Sequence, residues 1–176
     1  MNKIEHKKEF IQINISLATI SDTRNRKNDK SGDILEKKIL DFGHKIFKRT
    51  IIKDDREKIE NFLKAQIMNK KVNAIITTGG TGLTGRDSTP EAVKKIIDKE
   101  IEGFGELFRM ISYQKIGTSS LQSRAIAGIK KDTFIFSIPG SPSACADAWD
   151  NILKFQLDSR FKPCNLIELI PRLTEK

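Results

Sequence analysis

A glycine-rich stretch with one carboxylate runs from Thr77 to Pro90, TTGGTGLTGRDSTP. Consecutive glycines expose backbone N–H groups without obstruction from a Cβ atom, which suits an anion, and Asp87 adds a carboxylate nearby. Two further acids, Asp54 and Asp55, follow the β-branched run RTIIK. Mg²⁺ prefers hard oxygen ligands and usually shares them with substrate phosphates. The pair Asp54 and Asp87 beside this loop therefore favours a site for a Mg²⁺-bound triphosphate.

The same stretch admits other interpretations, two of which fail on spacing. Residues 80–85 match the G-x-G-x-x-G dinucleotide fingerprint, but the next helix starts too far downstream, either at Ser88 with Glu91 or at Thr89 with Pro90. A Walker phosphate loop needs Gly-Lys-Ser/Thr, which this stretch lacks. It stays open that the glycines only turn the chain and that each aspartate caps a helix, Asp55 above all.

Other reactive residue types give weaker signals. Cys145 lies in a helical apolar pattern and is interpreted as a small core residue, not a nucleophile. His44 lies in a stretch with helical character and is predicted on a helix surface. Phe104, Phe108 and Met110 recur at helical spacing, which indicates core or subunit contact. A Ser-His-Asp or Cys-His set is not evident in the sequence.

The elements that must position these groups alternate between strand and helix patterns. Strands are predicted at 10–21, 49–55, 72–78 and 132–138, and helices at 34–48, 56–68, 90–101, 106–114, 119–129 and 144–157. A turn is predicted at Gly103-Phe104-Gly105, and Ser31-Gly32 is the expected cap of the first helix. This alternation predicts a three-layer α/β/α domain with a mostly parallel central sheet. Three of the four predicted strands end at acidic residues or at runs rich in glycine and proline. The carboxyl edge of the sheet is therefore the expected ligand site.

Length and composition fit one domain, predicted over residues 10–176 with an N-terminal tail at 1–9. The longest apolar runs fall short of the ~20 residues that a membrane span needs, and the first residues lack a secretory core, so we expect a cytoplasmic protein that does not bind a membrane. The net charge of +9 raises nucleic acid as a partner. Because the lysines are scattered among acids, a solvated surface is favoured and no nucleic-acid partner is predicted.

Three longer segments together carry a resemblance: TTGGTGLTGRDSTPEAV, EGFGELFRMISYQKIGTSSLQSRAIAG and FSIPGSPSACADAWDNI. They resemble the MoaB/MogA family of molybdenum cofactor biosynthesis, over about residues 10–171. The resemblance implies a molybdopterin-binding fold that assembles as a trimer or as a hexamer of two trimers. It also implies adenylylation of molybdopterin by Mg·ATP, with pyrophosphate as the second product. Molybdopterin, ATP and Mg²⁺ are thus the expected ligands.

The family's site residues carry over position by position. Its two key carboxylates fall on Asp54 and Asp87, as catalytic and metal-binding groups. The remaining positions would bind molybdopterin or its phosphate, and they are Thr78, Gly79, Gly80, Thr81, Gly82, Ser123, Arg124, Pro139, Gly140, Ser141 and Pro142. The LQSR sequence around Ser123 departs from the ILSR form of the MogA branch of the family.

Catalysis is one of two functions that the resemblance leaves open. The alternative is a protein of the same pathway that binds molybdopterin without turnover. Other proteins of the pathway are possible partners in either case. Retention of an acid at both Asp54 and Asp87 favours the enzyme.

Overall fold

The computed structural model describes residues 3–175. Its elements follow the order β1 (Lys3–Ile4), β2 (Asn14–Ile20), α1 (Lys30–Phe42), β3 (Lys45–Ile52), α2 (Arg56–Ile67), β4 (Ala74–Thr78), α3 (Thr89–Ile96), β5 (Lys99–Glu100), α4 (Glu102–Ile116), a 3-10 helix (Gly117–Gln122), β6 (Ile126–Lys130), β7 (Thr133–Ile138), α5 (Pro142–Ala148), a π-helical turn (Trp149–Leu153), α6 (Lys154–Gln156), β8 (Phe161–Lys162) and a 3-10 helix (Ile167–Arg172).

The six-stranded central sheet has the order β3-β2-β4-β7-β6-β5. The first four strands run parallel, whereas β6 and β5 are antiparallel additions. Every residue of β4 and β7 is buried, as expected for strands covered on both faces. The predicted three-layer α/β/α fold with a mostly parallel sheet is confirmed.

Two hydrophobic clusters fill the space on either side of the sheet. On one face α1, α4 and α5 contribute buried apolar side chains, among them Leu35, Phe104, Phe108 and Cys145. On the other face α2 and α3 contribute Ile59, Leu63, Val93 and Ile96. Phe104 and Phe108, predicted in the core or at a subunit contact, are buried, as is Cys145, which was predicted in the core. Met110, predicted with the two phenylalanines, is exposed in the single chain. Burial raises the pKa of the Cys145 thiol to about 11, which disfavours the thiolate.

The first helix ends earlier than the sequence pattern predicts, and His44 does not lie on its surface. Gly43 adopts a left-handed conformation (φ 106°) that terminates α1 before residue 44. His44 is buried, where it accepts from the backbone N–H of Ile13 and contacts the carbonyl of Leu157. Burial lowers its pKa to about 4. Asp29, not Ser31-Gly32, caps α1 by accepting from the Gly32 N–H.

The region from residue 97 to 130 also differs from its predicted structure. The helix predicted at 90–101 stops at Ile96, and residues 99–100 form β5. The turn predicted at Gly103-Phe104-Gly105 is the first part of α4. The helix predicted at 119–129 is wrong: a short 3-10 helix is followed by β6, whose backbone pairs with β7. That pairing outweighs the helical propensity of the alanines in SRAIAGI.

The described part of the predicted N-terminal tail makes specific contacts. Lys3–Ile4 pairs antiparallel with Phe161–Lys162. Directly after the tail, Phe10 stacks on the imidazole of His44, with ring centroids 5.0 Å apart. Among the described residues, 3–175, no helix is both long enough and apolar enough to span a bilayer.

Candidate functional site

The glycine loop leaves the carboxyl end of β4 at a point that only glycine can occupy. Gly79 (φ 104°) and Gly80 (φ 63°) both adopt left-handed conformations. A Cβ atom on Gly79 would lie 2.3 Å from the carbonyl oxygen of Ile20, at the end of the neighbouring strand β2. After β2 the chain forms α1 on one face, and after β4 it forms α3 on the other. Such a divergence opens the crevice in which α/β sheets bind ligands.

The carbonyl oxygens of the loop face the protein, and some of its amides do not find acceptors there. Thr89 donates from its hydroxyl to Gly79 and from its N–H to Gly80, each at 3.0 Å. The N–H and the Nε of Arg124 donate to Thr81 (3.1 Å) and Gly82 (2.7 Å). Within residues 3–175, the N–H groups of Gly80 and Thr81 have no hydrogen-bond acceptor. Unpaired amides in a glycine-rich turn can bind an anion where a ligand reaches them.

Asp54 and Asp87 flank this loop at successive glycines. The two carboxylate oxygens of Asp54 lie 3.0 and 3.1 Å from the position that a Cβ atom on Gly80 would take. Oδ2 of Asp87 lies 2.8 Å from the corresponding position on Gly82. Both carboxylates line one cavity of about 690 Å³. The convergence inferred from their places at the sheet edge is therefore observed.

The two carboxylates have opposite electrostatic environments. Burial, followed by repulsion from Asp87, raises the pKa of Asp54. Burial also opposes ionisation of Asp87, but hydrogen bonds from the hydroxyl and N–H of Thr84 outweigh it and lower the Asp87 pKa. Asp87 is thus ionised without a ligand, whereas a cation between the two would relieve the repulsion that Asp54 experiences.

Unsatisfied polar atoms concentrate around the same cavity. The described residues contain four buried side-chain polar atoms without a partner, and three of them belong to residues that line it: Asp54 Oδ1, Ser88 Oγ and Glu91 Oε2. Buried acceptors are normally paired, so atoms of this kind mark a place where a ligand supplies the missing contact. Asp55 differs from Asp54 because its carboxylate caps α2 by accepting from the Lys58 N–H at 3.0 Å. The predicted capping role of Asp55 is confirmed.

The carboxylates at this site would supply only part of the coordination shell of a cation. Across the described residues, no group of three or more His, Cys, Asp or Glu side chains is placed to hold a metal ion. Two carboxylates with one unpaired oxygen suit Mg²⁺, which takes one or two protein carboxylates and completes its shell with water and phosphate oxygens.

Other predicted site residues lie around this centre with different contacts. Thr78 points into the protein, where its hydroxyl donates to the carbonyl of Pro139 at 3.0 Å. In the 139–142 segment, Cα of Gly79 lies 3.2 Å from where a Cβ atom on Gly140 would lie, and Ser141 caps α5. This segment therefore abuts the glycine loop but does not line the Asp54–Asp87 cavity. Ser123 lines an adjoining cavity of about 600 Å³.

Comparison with known proteins identifies the family. The model of the family described as "Probable molybdopterin binding domain" matches residues 16–159. The molybdenum cofactor biosynthesis protein B of Escherichia coli (strain K12) is 46% identical over 157 residues, which cover 89% of this chain and 92% of that protein. The chain belongs to the MoaB family of molybdenum cofactor biosynthesis.

Further members of the MoaB family agree with this assignment. The protein of the same name from Bacillus cereus (strain ATCC 14579) is 44% identical over 155 residues, covering 87% of this chain and 92% of its own. A crystal structure of a molybdenum cofactor biosynthesis protein B matches with a TM-score of 0.86 at 39% identity, covering 96% of this chain and 100% of that one. The resemblance inferred from three sequence motifs is confirmed.

The sequence pattern did not reveal the contacts that three residues make at the site, because it assigned them only to the start of a helix. Thr89 was one possible helix cap, but its hydroxyl holds the Gly79 carbonyl. Ser88 occupies the cap position without making a side-chain capping bond. Glu91 pairs with Arg124. The sequence signal at these positions, STPE, is that of an ordinary helix start and does not distinguish these contacts from capping.

Proposed function

We propose that this protein binds molybdopterin and adenylylates it with Mg·ATP. The observation that carries the proposal is the cavity lined by Asp54, which has an unpaired carboxylate oxygen, and by the ionised Asp87. The carboxylate of Asp54 also lies beside Gly80, whose amide has no acceptor within residues 3–175. Membership of the MoaB family supports the pathway, and the match to a probable molybdopterin binding domain supports the pterin ligand.

In the proposed reaction, an oxygen of the terminal phosphate of molybdopterin attacks the α-phosphorus of ATP. The bond between that phosphorus and the bridging oxygen to the β-phosphate breaks, and pyrophosphate leaves with the electron pair. Asp54 and Asp87 would hold Mg²⁺, which supplies charge neutralisation for the triphosphate when bound. The N–H groups of Gly80 and Thr81 donate to phosphate oxygens and orient them. Alignment and charge compensation of this kind need no protein nucleophile, in keeping with the buried, protonated Cys145.

Purified protein incubated with molybdopterin, ATP and Mg²⁺ should release pyrophosphate and form adenylated molybdopterin. Asp87→Asn removes a charge at nearly constant volume and should lower turnover by about 100-fold or more, since it removes electrostatic stabilisation of the reacting phosphates. Asp54→Asn should have a similar effect. Asp55→Asn is the matched control, because Asn also caps helices well and this variant should retain turnover.

Near-normal turnover of Asp87→Asn would refute the proposed metal role. Measurable molybdopterin binding with no adenylated product from the wild type would instead support the alternative, a molybdopterin-binding protein of the same pathway without this activity.

We also propose that the protein forms a homo-oligomer, a trimer or a hexamer. Large apolar side chains of α4 and the following 3-10 helix are exposed in the single chain, among them Leu107, Met110, Tyr113 and Leu121. Exposed apolar surface of this kind is usually covered by a protein partner. Light scattering coupled to size-exclusion chromatography gives the mass, and a monomer at micromolar concentration would contradict the proposal.

A further inference from the structure

Arg124 contacts the glycine loop and the following helix through its backbone N–H and all three nitrogen atoms of its guanidinium. Its backbone N–H donates to Thr81, its Nε to the carbonyl of Gly82 at 2.7 Å, and its Nη2 to the carbonyl of Asp87 at 2.6 Å. Its Nη1 forms an ion pair with Glu91 of α3. One guanidinium thus joins the middle of the loop, the end of the loop and the next helix.

Asp87 is consequently held at two points. Thr84 donates to its carboxylate from the backbone N–H (2.9 Å) and from the hydroxyl (2.6 Å). Arg124 fixes the backbone of the same residue through its carbonyl oxygen. With both the backbone and the carboxylate restrained, the direction in which Asp87 faces the cavity is set before any ligand binds.

We propose that Arg124, itself oriented by Glu91, is a positioning residue that fixes the loop from Gly82 to Asp87 and thereby presents the Asp87 carboxylate to a Mg²⁺-bound triphosphate. The inference rests on the proposed function, because it assigns Arg124 a task within that site. It assigns the guanidinium to the protein's own carbonyl groups and not to the pterin.

Arginine suits this task and lysine does not. A guanidinium is a planar fork whose nitrogen atoms meet several acceptors at fixed angles, whereas an ammonium is a single point on a flexible stem. Arg124→Lys keeps the charge and the backbone N–H bond to Thr81, and it loses the simultaneous contacts with Gly82, Asp87 and Glu91. The variant therefore tests geometry separately from charge.

Binding of Mg·ATP, measured by titration calorimetry, tests the inference without requiring turnover. Because loss of a residue that orients a metal ligand typically costs 10–100-fold in affinity, Arg124→Lys should weaken Mg·ATP binding by about that factor. Arg160→Lys is the matched control: both arginine side chains are 29% exposed and paired with a carboxylate, but Arg160 contacts Asp158, far from the loop. This control should bind like the wild type. Glu91→Gln should give a smaller loss than Arg124→Lys.

The double variant Arg124→Lys/Asp87→Asn separates positioning from general destabilisation. If Arg124 acts through Asp87, the double variant binds Mg·ATP no more weakly than Asp87→Asn alone, since interacting residues give non-additive effects. Additive losses of Mg·ATP affinity in the double variant would overturn the inference. An Arg124→Lys variant with wild-type affinity would also overturn it, including one with a lower melting temperature.

Binding and product formation by the wild type test the proposed function separately from the role of Arg124. A wild type that binds Mg·ATP but forms no adenylated product contradicts the proposed activity, while the comparison of affinities still decides the role of Arg124. A wild type that does not bind Mg·ATP contradicts both.

Discussion

Two aspartates near the carboxyl edge of the sheet, Asp29 and Asp54, have contrasting surroundings. Both oxygens of Asp29 are used: Oδ1 accepts from the Gly32 N–H at 3.0 Å, and Oδ2 accepts from the Thr19 hydroxyl at 2.8 Å and from Arg49 at 2.9 Å. Oδ1 of Asp54 is buried without a partner. A satisfied carboxylate fixes the fold around it, whereas an unsatisfied one retains the capacity to bind.

Arg49 completes the cluster of paired side chains around Asp29, which we call the closed region. The cavity between Asp54 and Asp87 is the open region. Its guanidinium is 4% exposed and also pairs with Asp33 and Glu36, which leaves only its Nε without a partner. Burial alone would lower the pKa of Arg49, but hydrogen bonds to Asp29, Asp33 and Glu36 raise it. By capping α1, Asp29 also places Ser31, whose hydroxyl donates to the carbonyl of Gly140 at 2.7 Å. The closed region therefore contacts the 139–142 segment, which abuts the glycine loop.

The contrast predicts that the same substitution, aspartate to asparagine, lowers the free energy of unfolding at position 29 but not at position 54. Asp29→Asn leaves Arg49 buried with less compensating charge, and we expect the free energy of unfolding to fall by about 3 kcal/mol, near the lower end of the cost of breaking a buried ion pair. Asp54→Asn removes no existing contact of Oδ1 and should not lower stability. Urea unfolding followed by the fluorescence of the buried Trp149 measures both. A loss below about 1 kcal/mol for Asp29→Asn would show that the closed region contributes little to stability.

A smaller effect within the closed region is expected from Thr19→Val. The substitution keeps the shape of the side chain and removes the hydroxyl that donates to Asp29. Hydrogen bonds to charged groups contribute about 1.5–3 kcal/mol, and because Arg49 and Gly32 still satisfy the carboxylate we expect a loss of about 1.5 kcal/mol. The same urea titration measures this loss. Equal stability of Thr19→Val and wild type would mean that the two remaining contacts suffice.

The open region was easier to predict from the sequence than the closed one. Glycines and acids at strand ends indicate a candidate site by residue type, so Asp54, Asp87 and the 79–82 loop could be proposed without a structure. Asp29 lies in a polar loop whose composition is typical of any solvated connection. Its partner Arg49 was assigned to a strand without a role, because pairing between distant residues leaves no local pattern.

The fold shows the same division between local and long-range determinants. Strands β4 and β7 and helix α2 were predicted close to their observed bounds, because buried strands and amphipathic helices leave regular apolar patterns. The single helix predicted at 144–157 is instead α5, a π-helical turn and α6 in succession. Strand β6 was predicted as a helix, since its conformation depends on backbone pairing with β7. The contacts of Arg124 are equally long-range, and the family resemblance gave a position for this residue but not its partners.

The smallest predicted effect concerns the pH dependence of the open region. Because the folded state raises the pKa of Asp54 above its ordinary value of 3.8, it holds that proton more tightly than the unfolded chain does. The free energy of unfolding therefore falls as the pH rises from about 3.8 through the folded pKa, and the loss persists at neutral pH. Asp54→Asn escapes this loss, so it should be at least as stable as the wild type at pH 7.

The stability difference between Asp54→Asn and the wild type should shrink as the pH falls below about 3.8, where Asp54 becomes protonated in the unfolded state of the wild type as well. Asp87 and Glu91, whose pKa values are lowered, titrate in both proteins and largely cancel in the comparison. Thermal unfolding of the two proteins between pH 3.5 and about 7 measures the difference. A variant less stable than the wild type at pH 7, with a gap that widens as the pH rises, would mean that the Asp54 carboxylate is stabilised without a ligand, as Asp29 is. The protein alone would then satisfy the Asp54 carboxylate, and Asp54 would have no need of a cation as a partner.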